Sequence, residues 1–387
     1  MKRKIVFAVL VLGLVFGGWT PGAEAKEKTG GEKSYHEVSN FTGGRYEGTK
    51  EEGGLALDPG SAMREKDAAG KYNGGTYYYG RWTAPVHAVS FEEAIASWQA
   101  VTPKGTWMEV ELKARTKKGW TKWYSMGVWH EHDQPFQRHS VRGQGDRDGY
   151  VAVDTLKLKK SATAVRARVT LFTEDLSQTP VLRSYGIAFS KGKDKPGRVP
   201  SRGATPALDV PMRSQMVYPD GGEVWCSPTS TSMVMAYWAN VTGNRDWDQR
   251  VPEVVEGVWD YVYDGGGNWP FNTAYAASKG LEGKVVRLSS LAEVERWVRA
   301  EVPVIISLGY KEGELTGSPI PSSPGHLLVI RGFDDKGNVL TNDPAGPSNE
   351  SVRITYDRGE MERLWLEHSN GTVYLIHPRG WKTPDLR

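Results

Sequence analysis

The sequence has almost no cysteine: Cys226 is the only one in 387 residues. An intrachain disulfide framework is therefore excluded, and stability has to come from hydrophobic cores, which this length can supply. A dominant charge of one sign is also missing. The formal net charge is +3, and without Lys2, Arg3, Lys4 and Glu24 it is about +1. That balance gives no electrostatic case for nucleic acid as a partner. No internal repeat is evident, and the one long apolar run, Ile5 to Trp19, falls short of the ~20 residues that a spanning helix needs.

That run belongs to "MKRKIVFAVLVLGLVFGGWTPGAEA", residues 1–25. A basic start, an apolar middle and small residues at Ala23 and Ala25 are the layout of a secretory signal peptide, with Lys26 as the first mature residue. An uncleaved anchor is the alternative. The expected location is secreted and extracellular, with no membrane span after cleavage. In an oxidising compartment a lone cysteine is an intermolecular partner, a reactive thiol or a buried small hydrophobe. Its neighbours have to decide.

The remaining length exceeds one usual domain, and the pattern changes midway. Residues 34–190 read as strands. In "TWMEVELKARTKKGWTKWYSMGVW", Met108, Val110, Leu112 and Ala114 alternate with Glu109, Glu111 and Lys113. "YVAVDTLKLKK" and "AVRARVTLFTED" repeat the alternation. Many half-buried strands without helices predict an all-β sandwich. The stretch 191–206 is rich in Pro, Gly and basic residues and reads as an interdomain linker, with a solvated loop inside one domain as the alternative. From 207 to 380 helical spacing comes first, in "PTSTSMVMAYWANV", "PEVVEGVWDYVYD" and "SLAEVERWVRAEV". The last of these opens with Ser290 and Glu293 as a capping box. "PVIISLGY", "GHLLVIRGFD", "GNVLTNDP", "SVRITY" and "TVYLIHP" then read as strands, so the second domain is α+β.

Cys226 stands in "GGEVWCSPTSTSMVMAYW", just ahead of the first helix. Pro228 suits a first helical turn, and a thiol at a helix N-terminus meets the positive end of the macrodipole. A structural cysteine would sit deeper, among Met233, Met235 and Tyr237. A thiol nucleophile needs a base and a group to orient that base. His326 follows the flexible "GELTGSPIPSSPG" and opens a strand, so its backbone is held while a loop leaves it room. A hairpin turning at Asp335–Asn338 brings Asp343 opposite Val329 or Ile330. A bulge or twist then has to close the rest of the gap to His326. Asp343-Pro344 as a plain turn is the alternative. His368 and His377 look structural or exposed. His130, His132, Asp133 and His139 share a polar stretch that reads as a solvated loop rather than a metal site.

The order Cys, His, Asp, with "DVPMRSQ…EVWCSPTSTSMVMAYW", "PGHLLVIRGFD" and "NVLTNDPA", resembles the papain-fold cysteine peptidases of the double-glycine leader peptidase-like group. The resemblance covers Leu208 to Pro378. It implies a papain-like fold and a peptidase cutting a peptide or protein, with Cys226 as nucleophile, His326 as base, Asp343 as orienter and Gln215 at the oxyanion hole. No metal or organic cofactor is required. Ser227 stands where the family often has glycine and would crowd the oxyanion site. With no ATP-binding region following, the transporter-linked form of leader processing is not expected.

The first domain resembles accessory modules of extracellular bacterial enzymes in fold only. Trp107, Trp120, Trp123, Trp129 and "TYYYGRW" either bind a cell-wall glycan or peptide or fill a core. Two further functions stay open: a thiol amidase or endopeptidase on cell-wall peptide, and a catalytically silent binding protein.

Overall fold

The computed structural model describes residues 31–386 apart from Arg198, so the expected leader lies outside the described residues. The first unit begins with β1 (Glu32–Val38), β2 (Arg45–Glu47), β3 (Thr49–Glu51), β4 (Leu55–Leu57) and β5 (Met63–Lys66). The longer β6 (Thr76–Thr83), β7 (His87–Val101) and β8 (Thr106–Thr116) follow, then β9 (Gly119–Trp120) and β10 (Tyr124–Trp129). β11 (Gly149–Ala152), β12 (Thr155–Thr173) and β13 (Val181–Lys191) complete it. All pair antiparallel.

The strands join into one 13-stranded sheet rather than two separate ones. The cause is β12, whose first part pairs with β7 and β11 and whose second part pairs with β8 and β6. Its register to β7 shifts twice, which lets one strand serve two layers. Trp82 on β6 meets Tyr185 on β13, a strand it does not hydrogen-bond, at 6.2 Å between ring centroids. The sheet is thus folded over its own apolar side. Met108, Val110, Leu112 and Ala114 are buried there, as their alternation requires. One expectation fails: "YVAVDTLKLKK" is not a single strand. It turns back at Val153 and Asp154, with Val153 left-handed at φ 57°, and Ala152 pairs with Thr155. A β-branched residue is a poor turn former, so nothing in the pattern marks the reversal.

The second unit has five helices: α1 (Cys226–Thr242), α2 (Val251–Val258), α3 (Trp269–Ser278), α4 (Leu291–Arg299) and α5 (Arg358–Ser369). Its strands are β14 (Glu282–Arg287), β15 (Val304–Tyr310), β16 (Ser323–Phe333), β17 (Val339–Asn342), β18 (Arg353–Tyr356) and β19 (Thr372–His377). They form an antiparallel sheet in the order β14-β19-β15-β16-β17-β18. Helix α1 is buried from Ser227 to Ala239 and is fastened to the sheet at two points. Ser230 Oγ donates to Leu327 O at 3.2 Å, and Trp238 Nε1 donates to Ile376 O at 2.7 Å. The Ser290 capping box does not form. Glu293 accepts from Ser289 N, while the buried Glu362 of α5 accepts from Leu291 N.

Helix α3, which the periodicity does not reveal, joins the two units. The Asp154 carboxylate of the first unit accepts from Trp269 N at 2.7 Å and so caps a helix of the second. Phe271 then packs on Trp98 and Trp129 at 6.2 and 5.3 Å between centroids. Gly127 leaves room for it, since a Cβ there would lie 3.1 Å from the Phe271 ring. One apolar cluster runs through both units. The linker is also fastened. Gly197 N donates to Glu362, Ser201 Oγ and Arg202 N donate to Glu295, and Thr205 N donates to Phe333 O. Its Pro/Gly composition rules out regular structure but does not rule out attachment, and two buried carboxylates supply that attachment. The chain here is a strap lying on the second unit, not a free tether.

Candidate active site

Cys226 is the first residue of α1 and is a free, half-buried thiol. Pro228 occupies the third helical position, where a missing N–H leaves no hydrogen bond unmade. His326 lies on β16 beside Leu308 of β15, and Asp343 follows β17 directly. Both are buried. His326 Nε2 meets Asp343 Oδ1 at 2.7 Å.

The hairpin register differs from the simple count. Val329 pairs with Asn342 and Ile330 with Thr341, and a bulge lies between Ile330 and Gly332. The extra residue on β16 draws the end of β17 towards His326 and closes the gap that turn arithmetic leaves. Asp343 is then fixed from three sides. Tyr356 OH donates to Oδ2 at 2.7 Å, Ala345 N donates to Oδ1 at 2.9 Å, and its own N–H donates to Val352 O at 2.7 Å.

Charge in this pair follows from the surroundings. Burial opposes the imidazolium, but the Asp343 carboxylate and its hydrogen bond outweigh burial, and a smaller contribution comes from the neighbouring Cys226 thiol. The His326 pKa is lifted to about 10. Burial likewise pushes Asp343 up, yet the His326 charge and the hydrogen bonds from His326, Tyr356 and Ala345 hold it below the ordinary carboxylate range. Together they are a buried imidazole–carboxylate pair next to a thiol, and the raised pKa favours a proton on the ring.

Gln215 is buried in the turn Gln215–Val217. Its backbone N–H donates to Pro344 O and its Nε2 donates to Gly222 O, both at 2.9 Å. The side-chain amide is therefore tied to the loop before Cys226, and the backbone to the residue after Asp343. One Nε2 hydrogen is left for another acceptor. Ser227 does not crowd this region, because its hydroxyl is bonded to the buried Tyr374 hydroxyl at 2.9 Å. Val224, two residues before the thiol, is exposed, as is Tyr263, which lies near Cys226.

His326 and Asp343 come together directly, with Cys226 beside His326. His368, near the end of α5, lies against Gly309 and Gly325, and the buried His377 is on β19; neither hydrogen-bonds to His326 or Asp343. Among the described residues, no group of three or more His, Cys, Asp or Glu is placed to hold a metal ion. The tryptophans divide: Trp107 and Trp129 are interior, while Trp120 is exposed and Trp123 half-buried. The sequence reading missed Tyr356. Its only signal is its place on the strand next to β17, which the order of strands in "SVRITY" does not disclose.

A thiol next to a buried imidazole–carboxylate pair is the equipment of thiol-dependent acyl transfer. Comparison with known proteins agrees. Residues 207–373 match the model of the peptidase C39-like family, and residues 32–190 match that of the peptidase C39 N-terminal domain. The second unit is thus similar to the C39-like peptidases, and the first to the peptidase C39 N-terminal domain. No curated protein matches it significantly. A solved structure, a C39-like peptidase candidate from Bacillus anthracis, is 17% identical over 47% of this chain and 99% of its own, with a TM-score of 0.32. That score is too low to carry an argument.

Proposed function

We propose that the protein is a secreted cysteine peptidase of papain-like fold that cleaves peptide bonds through Cys226, His326 and Asp343. The observation that carries this reading is the buried 2.7 Å contact of His326 with Asp343 beside a thiol at the start of a helix. With Nε2 committed to Asp343, Nδ1 is the ring atom left for the Cys226 proton. The sulfur then attacks the substrate carbonyl carbon, and the oxyanion accepts from Gln215 Nε2 and the Cys226 backbone N–H. The latter is one of the four amide donors that a helix start leaves unpaired. His326 returns the proton to the leaving amine as the C–N bond breaks. Water, losing a proton to His326, then attacks the thioester; the acid departs and the thiol is restored. Secretion rests on the leader at residues 1–25.

Peptide release from a denatured protein pool, read by mass spectrometry, tests the reading. Wild type should generate new termini, and Cys226→Ala should generate none. Equal patterns from both would overturn it. Intact mass in culture supernatant tests the start at Lys26, and a full-length chain held in the membrane would contradict it.

A further inference from the structure

The outer face of the first unit carries a cluster of cations with fewer carboxylates than charges. Lys113 on β8 stands directly across from Arg166 on β12. Arg168 lies on the same face, opposite Glu111 of β8 on one side and Thr83 of β6 on the other. Arg81 of β6 and Arg45 of β2 extend the same surface. Like charges directly opposed on an antiparallel pair destabilise it. Burial lowers the Lys113 pKa, and Arg166 and Arg168 lower it further.

Two of the five cations have carboxylate partners. Arg168 forms a forked pair with Glu111 at 2.6 and 2.7 Å, and Arg45 meets Glu47 at 2.9 Å. Among the described residues, Lys113, Arg166 and Arg81 have none within ion-pair distance. The Nε atoms of Arg81 and Arg166 are both shielded from solvent and lack a hydrogen-bond partner. These side chains border a hollow of about 480 Å³. A single carboxylate would neutralise one of the three. A phosphate, with a charge of about −1.5 to −2 and three strong acceptor oxygens, matches a cluster of this kind.

The tryptophans narrow the ligand. Lys113 Nζ lies 4.6 Å from the Trp123 ring centre and 5.1 Å from that of Trp120. The Arg168 guanidinium covers Trp123 at 4.5 Å. Ring faces occupied by cations offer no platform for a nucleobase. The cations also span β2, β6, β12 and β8, strands that stand about 4.8 Å apart, so one phosphate group cannot reach them all. We propose that this sheet face binds a chain of linked phosphates without bases, anchored by Lys113, Arg166 and Arg81.

Titration calorimetry of the full chain with tripolyphosphate at low salt tests the site. Binding should weaken at least tenfold in Lys113→Ala and in Arg166→Ala, and stay unchanged in Lys382→Ala. Tripolyphosphate should raise the melting temperature of wild type by several degrees more than that of Lys113→Ala. Inorganic phosphate should bind more weakly than the chain. Absence of binding at millimolar tripolyphosphate, or equal binding by wild type and both variants, would overturn the proposal. So would a single-stranded oligonucleotide or an oligoglutamate of matched charge that binds as tightly.

Discussion

At His326 and Asp343 each charge is buried against its opposite, whereas Lys113, Arg166 and Arg81 stand side by side on an outer sheet face without carboxylate partners. The first arrangement is complete before any ligand arrives. Its hydrogen bonds fix the ring and the carboxylate, so no rearrangement is needed when a reacting group enters. The second is incomplete and gains its missing anions only from outside. Preorganised charge is thus what the proposed reacting centre displays, and unpaired charge is what the proposed phosphate-binding face displays.

The comparison is broken most severely at the reacting centre itself. Cys226→Ala and His326→Ala should each lower peptide turnover by at least about a thousandfold, since nucleophile and base act as a unit. The melting temperature should show that both variants still fold. By contrast, Lys113→Ala should leave turnover intact.

Phe271→Ala comes next and strikes the junction of the two halves. Emptying the site between Trp98 and Trp129 should cost about 3–5 kcal/mol. Calorimetry should show one unfolding transition for wild type, since a single apolar cluster spans both units. Two well-separated transitions in wild type would contradict the joint core. Limited trypsin digestion bears on the same point. With the strap pinned by Glu295 and Glu362, cutting within 191–206 should be slow.

Asp343→Ala should reduce turnover about a hundredfold, and Asp343→Asn less, because an amide oxygen still accepts the imidazole N–H. The pH profile sharpens this. Asp343 contributes most to raising the His326 pKa, so removing it should move the alkaline limb of kcat/KM from near pH 10 towards neutrality. The sign for stability agrees: a raised histidine pKa gives stabilisation that is full below about pH 6.5 and is lost as pH rises through about 10. The smallest effect is expected for Tyr356→Phe. Losing its hydrogen bond to Asp343, worth ~1 kcal/mol, should slow turnover about fivefold. It should also raise the Asp343 pKa, so activity fails at a higher pH on the acid side.

Much of this was legible in the residues. The alternation at Met108–Ala114 reports a strand because one face must be buried, and Cys226 before Pro228 reports a helix start because proline fits there. The order Cys226, His326, Asp343 marked three residues that the fold brings together. What stayed hidden depends on partners distant in sequence. Helix α3 is buried nearly all round, so "WPFNTAYAAS" shows no stripe. The bulge that carries Asp343 to His326 leaves no mark in "HLLVIRGF". The linker reads as free because its anchors, Glu295 and Glu362, lie about a hundred residues or more away. Lys113 and Arg166 look like ordinary solvated positions until strand pairing sets them face to face.

The central claim is that the buried His326–Asp343 pair makes Cys226 a nucleophile. Its most direct test is the rate at which a peptidyl chloromethyl ketone modifies the protein at neutral pH, read as an intact-mass adduct in wild type and in His326→Ala. The account predicts one rapid adduct, on Cys226, in wild type and at least a hundredfold slower modification in the variant. Equal rates in the two proteins would contradict it.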